Sequence, residues 1–512
     1  MDSLQLIITD IDSRVFANYI AALKERNESC DFHNGLFLYT YGDYKTKITM
    51  ELLRYPGKKP ICTPADYTTA VNKYFTWKIE QYYIPRIKII LNRVGEQQTA
   101  DIKQKSDEWL ALRQNVITAS EAGYLLGITG YSGMVNYIKN KCAIPTSLES
   151  LKYCDSIKHG NIYEPVARMI YESRNNATIA EYGLIKTDKT PIIAASPDGI
   201  VVSASDPARV GRLVEFKNPY SWTDKADIKP EYIIQIYQQQ FVMDIPICDF
   251  VKTHIIGSDY NPNAEKEGFR QYISLDDMLS DIIPEKQHST NENIPRENCC
   301  SLGTEKGILI KCNDSDKIIV YPITIPYTRA GILEWIEQIK KENGLDKPNK
   351  DNKDNKDNKD DNIIIKYWYV ADYTQKTLVY DQKLYEYFYM PRLNLIWDII
   401  QNIRVIPDIP TRLNCIDNIV KPLLQQYKPA FYKDIANHAL ICKMLDQCIT
   451  DIKTCNANSS ISIPHSNLKP ISIKTLDKKP NKAVNINISD DKKTYSTGKS
   501  KKNKKIIEEL DF

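Results

Sequence analysis

A Ser-Pro-Asp-Gly turn between two short apolar segments constrains the fold of this chain more than any other feature. The segments 191–196 and 200–203 flank Asp198, and the proline and glycine on either side of it favour a tight hairpin turn. Further strands are predicted at 179–186 and, after a polar loop, at 212–217. Adjacent strands of this kind would bring Asp198 beside the acidic residue of the next strand.

That next strand carries an acid and a base two residues apart, Glu215 and Lys217. Their side chains point to one face of a strand, whereas Phe216 points into the core. Cleaving a phosphodiester needs an activated water and stabilisation of the developing charge, and divalent cations held by carboxylates supply both. With Asp198, the pattern indicates a metal-dependent phosphodiesterase. On pattern alone, the alternative is a common turn next to a surface ion pair.

Further motifs stand in a fixed order around this pair. They are W-x3-R at Trp109 and Arg113, Ile-Thr-Ala-Ser ending at Ser120, G-x3-E-P around Glu164, S-P-D-G, E-x-K, and Y-x2-Q ending at Gln235. This ordered set resembles the YqaJ-type viral recombinase family, which includes the phage lambda exonuclease and belongs to the PD-(D/E)xK nuclease superfamily. The resemblance covers about residues 103–256, with a weaker echo at 363–404.

The resemblance implies an α/β fold with a restriction-endonuclease-like core, in which helices flank a central mixed sheet. Such enzymes bind two Mg²⁺ or Mn²⁺ ions and degrade one strand of duplex DNA from a 5′ end. By resemblance, Asp198, Glu215 and the backbone carbonyl of Phe216 bind metal, and Lys217 is catalytic. Glu164 completes the metal site by the same resemblance, although a solvated acid near a helix start is the alternative.

The remaining site residues also come from the resemblance. Gln235 supports the active site, and Arg113 and Ser120 contact the 5′-phosphate. Trp109 is either a DNA-stacking or a core residue. Two further positions are uncertain. Asp188 matches an acid of unsettled role, and Gln239 shares a face with Gln235 on a helix predicted at 230–243. Solvent exposure is the alternative for the glutamines at 238–240.

Bulk properties fit an intracellular enzyme, in the host cytoplasm or nucleus if the chain is viral. The 512 residues, 42% of them hydrophobic, suffice for two to four domains. No apolar run is long enough to span a membrane, and the amino terminus does not resemble a secretory signal. The 12 cysteines show no zinc-type pairs, so reduced thiols are expected. A metal site at Cys442, Cys448, Cys455 and His438 is disfavoured by irregular spacing.

The chain divides into segments by composition and pattern. A strand at 363–370 with a hairpin partner at 376–381, and a helix at 383–404, are expected to close the core. The expected order is an N-terminal extension of unknown role (1–102), the nuclease core (103–256), an insertion (257–348), an Asn-Lys-Asp linker (349–362), closing elements (363–404), a helical region (405–451) and a basic disordered tail (452–512).

The net charge of the chain is only +3, so any affinity for DNA must come from local basic patches. The tail at 452–512 holds 13 Lys against 6 Asp or Glu. This basic segment is interpreted as a DNA tether, a nuclear import signal or plain solvated disorder. The resulting hypothesis is a 5′-to-3′ exonuclease that resects duplex ends for viral-type recombination or repair. Its expected partners are duplex DNA with free ends, a single-strand annealing protein and further copies of itself, with no membrane. The alternatives are a structure-specific or restriction-type endonuclease and a noncatalytic DNA-binding scaffold.

Overall fold

A computed structural model gives the fold of thirteen parts of the chain. The residues described are 3–25, 41–54, 63–97, 107–145, 154–222, 227–259, 271, 274–279, 305–312, 317–322, 328–343, 363–426 and 436–457. The predicted Asn-Lys-Asp linker and most of the basic tail lie outside them. None of the helices in these parts is long and apolar enough to cross a membrane.

The described elements are fifteen α-helices and ten strands, with π-helical turns at Ile79–Tyr83, Lys383–Tyr389 and Ile416–Val420. The helices are α1 Ser3–Glu25, α2 Tyr41–Arg54, α3 Pro64–Lys78, α4 Ile84–Gln97, α5 Asp107–Gln114, α6 Ala119–Leu125, α7 Tyr131–Lys141, α8 Asp155–Asn175, α9 Pro230–Met243, α10 Leu275–Leu279, α11 Arg329–Glu342, α12 Met390–Arg404, α13 Ile409–Cys415, α14 Lys421–Gln426 and α15 His438–Ala457. The strands are β1 Ile117–Thr118, β2 Ala177–Ala180, β3 Ile185–Thr187, β4 Thr190–Ala195, β5 Gly199–Ala204, β6 Leu213–Lys217, β7 Ile247–Gly257, β8 Lys306–Cys312, β9 Ile318–Val320 and β10 Ile363–Val379.

A seven-stranded mixed sheet forms the centre of the fold, in the order β2-β5-β6-β7-β10-β8-β9. Only β6 and β7 are parallel among its pairs; a second, three-stranded sheet has the order β1-β4-β3. Helices cover the central sheet, so the predicted α/β class is confirmed.

Strand β6 is buried on both faces because it lies between two helical layers. Leu213 belongs to the core shared with α7, α9 and α12, whereas Val214 and Phe216 pack against Tyr163 and Ile170 of α8. The acid at 215 therefore faces α9, on the side of the sheet opposite α8.

Three strand predictions are wrong. The hairpin expected around Asp198 does not form, because β4 pairs in the small sheet and β5 in the large one; the turn carries the chain between sheets. The strand expected at 179–186 is split between β2 and β3 for the same reason. The hairpin expected at 363–381 is one long strand, β10, whose first part pairs with β8 and whose remainder pairs with β7. Residues 371–375 contain no glycine or proline that would favour a turn.

The N-terminal helices form a cluster of their own and then join the core. Residues Ile8, Ile48, Val71 and Phe75 pack together among α1, α2 and α3. Helix α4 continues to the central sheet, where Ile87 packs against the loop before β6. Helix α4 therefore lies against the loop that leads into the strand with the acidic motif.

The C-terminal helices pack on the same core through α12 and α15. Cys415 and Cys448 are buried, and the Cys442 Sγ atom lies 3.6 Å from His438 Nε2. In the thirteen parts of the chain given above, no group of three or more His, Cys, Asp or Glu could hold a metal ion. Residues 452–457, which the prediction assigned to the disordered tail, complete α15, and the rest of that segment lies outside the described residues.

Candidate active site

Asp198 and the backbone of β6 lie side by side. Asp198 is at the start of β5, whose first residue, Gly199, pairs with Val214. The Phe216 N–H donates to Asp198 Oδ2 at 2.8 Å. A Cβ atom at Gly199 would lie 2.1 Å from the Ile179 side chain, so only glycine permits this approach of β5 to β2. The structure thus brings together the two acidic motifs that the sequence singles out.

Glu215 is fully buried and is held by side chains from α9 and β6. Its Oε1 atom accepts hydrogen bonds from Gln235 Nε2 at 2.6 Å and from Lys217 Nζ, and its Oε2 atom accepts from Gln239 Nε2 at 2.7 Å. Positions 235 and 239 are one helical turn apart and so face the same carboxylate. The uncertain Gln239 therefore lies in direct contact with Glu215.

The glutamines at 238–240 are fully buried, so the alternative of solvent exposure is wrong. Gln238 Nε2 donates to the carbonyls of Ile117 and Ala194 at 2.8 and 2.9 Å. It links α9 to the small sheet, whereas Gln239 links α9 to Glu215. Adjacent residues of one helix thus have separate roles.

Burial, followed by the charges of Glu215 and Glu164, raises the pKa of Asp198 well above the ordinary aspartate value. Burial acts to lower the pKa of Lys217, but Glu215 and Asp198 outweigh it and raise that pKa above its ordinary value. Lys217 therefore stays protonated at neutral pH and acts as a hydrogen-bond donor.

Glu164 and Arg168 bring α8 to the same site. Arg168, one turn after Glu164, donates to the Asp198 backbone carbonyl at 3.1 Å and pairs with Glu181. Arg168 is a site residue that was not predicted. Its signal was the spacing of four residues from Glu164, which places both side chains on one helical face.

The donor chemistry of this site fits a hard divalent cation. Asp198 Oδ1 has no hydrogen-bond partner among the residues described, and the Asp198 side chain is partly exposed. The charges of Glu215 and Glu164 act on it, so a cation would relieve their repulsion. Asp198, Glu215 and the Phe216 carbonyl offer oxygen ligands, which Mg²⁺ and Mn²⁺ prefer.

The predicted phosphate-binding residues form a second cluster. Arg113 Nη2 donates to Thr118 Oγ1 at 3.1 Å and to Ser120 Oγ at 3.3 Å. The guanidinium carbon lies 4.5 Å from the centre of the Trp109 ring. Within the described residues, Arg113 Nε and Nη1 make no hydrogen bond, and Ser120 is exposed. Trp109 thus lies against Arg113, the residue predicted to bind phosphate.

Helices α6 and α9, each of which carries residues of one cluster, are neighbours. A Cβ atom at Gly123 of α6 would lie 3.3 Å from Glu231 Cα, so a small residue permits close packing of α6 on α9. Asp188 lies elsewhere: it is exposed before β4, at the end opposite Asp198, and accepts a hydrogen bond from Gln97. A strand of this length spans about 20 Å. The structure therefore does not bring Asp188 to the other acids.

The described part of the chain has an α/β fold that is consistent with a PD-(D/E)xK-like nuclease core. Residues 108–245 match the model of the YqaJ-like viral recombinase domain. This matched segment lies within residues 103–256, where the motifs indicated a resemblance to that family.

Individual proteins resemble parts of the chain. An uncharacterized protein of Acanthamoeba polyphaga mimivirus is 29% identical over 253 residues, which cover 46% of this chain. The match spans 42% of that relative, which is less than half of its length. Crystal structures of an alkaline exonuclease from Laribacter hongkongensis, one of them in complex with dAMP, match with 28% identity and a TM-score of 0.24. These matches cover 29% of this chain and 74% of the exonuclease chain.

Proposed function

We propose that this chain is a divalent-metal-dependent DNA nuclease that degrades duplex DNA from 5′ ends. One observation carries the proposal: Asp198 lies against the β6 backbone next to Glu215, which Lys217, Gln235 and Gln239 hold in a buried position. A buried carboxylate held by several donors suits a fixed metal ligand better than a surface ion pair. The YqaJ-like domain at residues 108–245 supports the same chemistry.

Asp198, Glu215 and the Phe216 carbonyl would hold Mg²⁺ or Mn²⁺. When bound, such ions lower the pKa of a coordinated water and stabilise charge on a phosphate. The glutamines keep the two Glu215 oxygens in fixed orientation. Lys217 would donate to a phosphate oxygen or to the attacking water.

The preference for a 5′ end is assigned to the Arg113 cluster. A terminal phosphate is a dianion or monoanion that the unused N–H groups of a guanidinium bind in a planar fork. The exposed Ser120 hydroxyl would add a donor next to them. We place duplex DNA with free ends as the substrate. An annealing protein and further copies of the chain remain proposed partners.

The test uses duplex DNA labelled separately at each 5′ and 3′ end, incubated with Mg²⁺, beside a covalently closed circle. We expect early release of the 5′ label and no cutting of the circle. Lys217→Ala should abolish cleavage while binding of Mn²⁺ and DNA persists, whereas Glu215→Ala should weaken Mn²⁺ binding. Lys186→Ala, at an exposed position of β3, is the control and should cut normally. Cutting of the circle would refute the requirement for an end, and full activity of both site variants would refute the site.

A further inference from the structure

The corner between α5 and β1 sets the geometry of the Arg113 cluster. Arg113 lies in the last turn of α5, and Ser120 lies in the first turn of α6. The chain between them turns at residues 114–116 before the two residues of β1. The distance of 3.3 Å between Arg113 Nη2 and Ser120 Oγ therefore depends on the conformation of this corner.

Lys141, at the end of α7, reaches under the corner. Its exposure is only 2%, and its Nζ atom donates to the backbone carbonyls of Arg113 and Val116, the latter at 2.7 Å. The same atom lies 2.9 Å from Glu121 Oε2. These contacts provide partners for the three N–H donors of an ammonium group, which explains how a charge is tolerated in this buried place.

Glu121 connects Lys141 to the guanidinium of Arg113. Its Oε2 atom also accepts from the Thr118 N–H at 3.0 Å, and its Oε1 atom lies 3.8 Å from Arg113 Nη2. Glu121 would otherwise compete with an anionic ligand for the charge of Arg113. Because Lys141 neutralises Glu121 from the buried side, the exposed side of Arg113 keeps its positive charge for a ligand.

Arg404, at the end of α12, holds the same corner from outside. Its Nε atom donates to the Lys141 carbonyl at 2.7 Å, and its Nη atoms donate to the Gln114 carbonyl and to Asn115 Oδ1. It comes from about 290 residues further along the chain. Lys141 and Arg404 therefore fix the backbone from which Arg113 projects, and each adds a positive charge to the region.

We propose that Lys141 is a positioning residue that determines preference for a phosphorylated 5′ end, by holding the Arg113–Val116 corner and neutralising Glu121. This inference rests on the proposed nuclease function and names the terminal phosphate monoester as the group that the cluster distinguishes. Arg404 supports the same corner. Lys141 acts through Arg113 and does not touch the DNA.

The experiment measures binding of the full-length protein to two duplexes that differ only in a 5′-phosphate or a 5′-hydroxyl, by fluorescence anisotropy in Ca²⁺. The wild type should prefer the phosphorylated duplex. Lys141→Met should reduce the ratio of the two affinities about tenfold, and Arg404→Met should reduce it in the same direction. Lys139→Met is the matched control on α7, because Lys139 pairs with Asp417 instead, and its ratio should equal that of the wild type.

A double variant separates positioning from general damage. In Arg113→Ala the preference should already be lost, and adding Lys141→Met should leave the ratio unchanged. Circular dichroism checks each fold; if Lys141→Met is unfolded, Arg404→Met alone decides, because its side chain is partly exposed. A wild type without preference, or a ratio unchanged in the folded variants, overturns the inference. Absence of cleavage in Mg²⁺ would instead refute the proposed function, because the binding ratio does not require cleavage.

Discussion

The contact between Gln239 and Glu215 allows a sharp test of the metal-site assignment. Gln239 Nε2 donates to Glu215 Oε2 at 2.7 Å, and both side chains are fully buried. The other amide atom, Gln239 Oε1, has no hydrogen-bond partner within the described residues. We therefore expect that Gln239→Leu removes one charge-assisted hydrogen bond and, at the same time, one unsatisfied acceptor.

Loss of the hydrogen bond lowers the free energy of unfolding and loss of the unsatisfied acceptor raises it, whereas only the first of these changes affects metal binding. Loss of a hydrogen bond to a charged group costs about 1.5–3 kcal/mol, and removal of the unsatisfied oxygen returns part of it, so the free energy of unfolding should fall by about 1 kcal/mol. Among the described residues, Glu215 then keeps only Lys217 and Gln235 as donors, both at Oε1. Loss of such an orienting contact weakens metal affinity about 10–100-fold.

Gln238→Leu is the matched control, since it changes the same residue type at a fully buried position of the same helix. It removes bonds to Ile117 and Ala194 and should therefore reduce stability without changing metal affinity. Mn²⁺ affinity is measured by calorimetry, and stability by urea unfolding. Equal Mn²⁺ affinities in the two variants would show that Glu215 is not a metal ligand that Gln239 orients.

Three further predictions concern charge and packing. Burial and then the charge of Glu215 raise the pKa of Asp198, so its contribution to the stability of the metal-free protein is present below about pH 4 and is lost as the pH rises through the raised pKa. Asp198→Asn should remove this part of the pH dependence of Tm in EDTA. An unchanged dependence of Tm on pH would contradict the prediction. Asp249 is fully buried and pairs with two arginines on the other face of the sheet. Asp249→Ala should therefore lower the free energy of unfolding in urea by about 3 kcal/mol, and a loss below half of that would contradict a buried pair. Gly211 has φ +86°, and an added Cβ there would lie 2.7 Å from the Ile87 side chain. Gly211→Ala should therefore lower the midpoint of urea unfolding by the equivalent of about 2 kcal/mol, and an unchanged midpoint would refute the close approach.

The parts of this molecule that the sequence predicted well are those with local signals. Helix α9 begins at Pro230 and ends at Met243, as the pattern of residues 230–243 predicted. Proline suits a first helical turn, and the alternation in β6 placed Glu215 and Lys217 on one face. The structure also joins Asp198 to this strand. Only the 14 residues 199–212 separate Asp198 from β6, and they include β5, which pairs with β6.

Pairing between distant segments was not predictable in the same way. An apolar run shows that a segment is a strand but does not show which edge it joins, so β4, β5 and β10 were given wrong partners. The same limit applied to buried polar residues. A glutamine-rich helix resembles a solvated one until the carboxylate of another strand lies opposite it, and a lysine such as Lys141 resembles a surface residue until the corner above it is known.

The candidate site depends on chain outside the segment that matches the family. Strand β7, the parallel neighbour of β6, begins at Ile247, after the match ends at residue 245. Without β7 and β10, the strand that carries Glu215 and Lys217 would be an open edge, with unpaired backbone groups and apolar side chains in water. The corner at Arg113 likewise needs Arg404 from α12. Chain outside the matched segment therefore includes structural parts of the candidate site, and a fragment confined to that segment should not retain the geometry of the site.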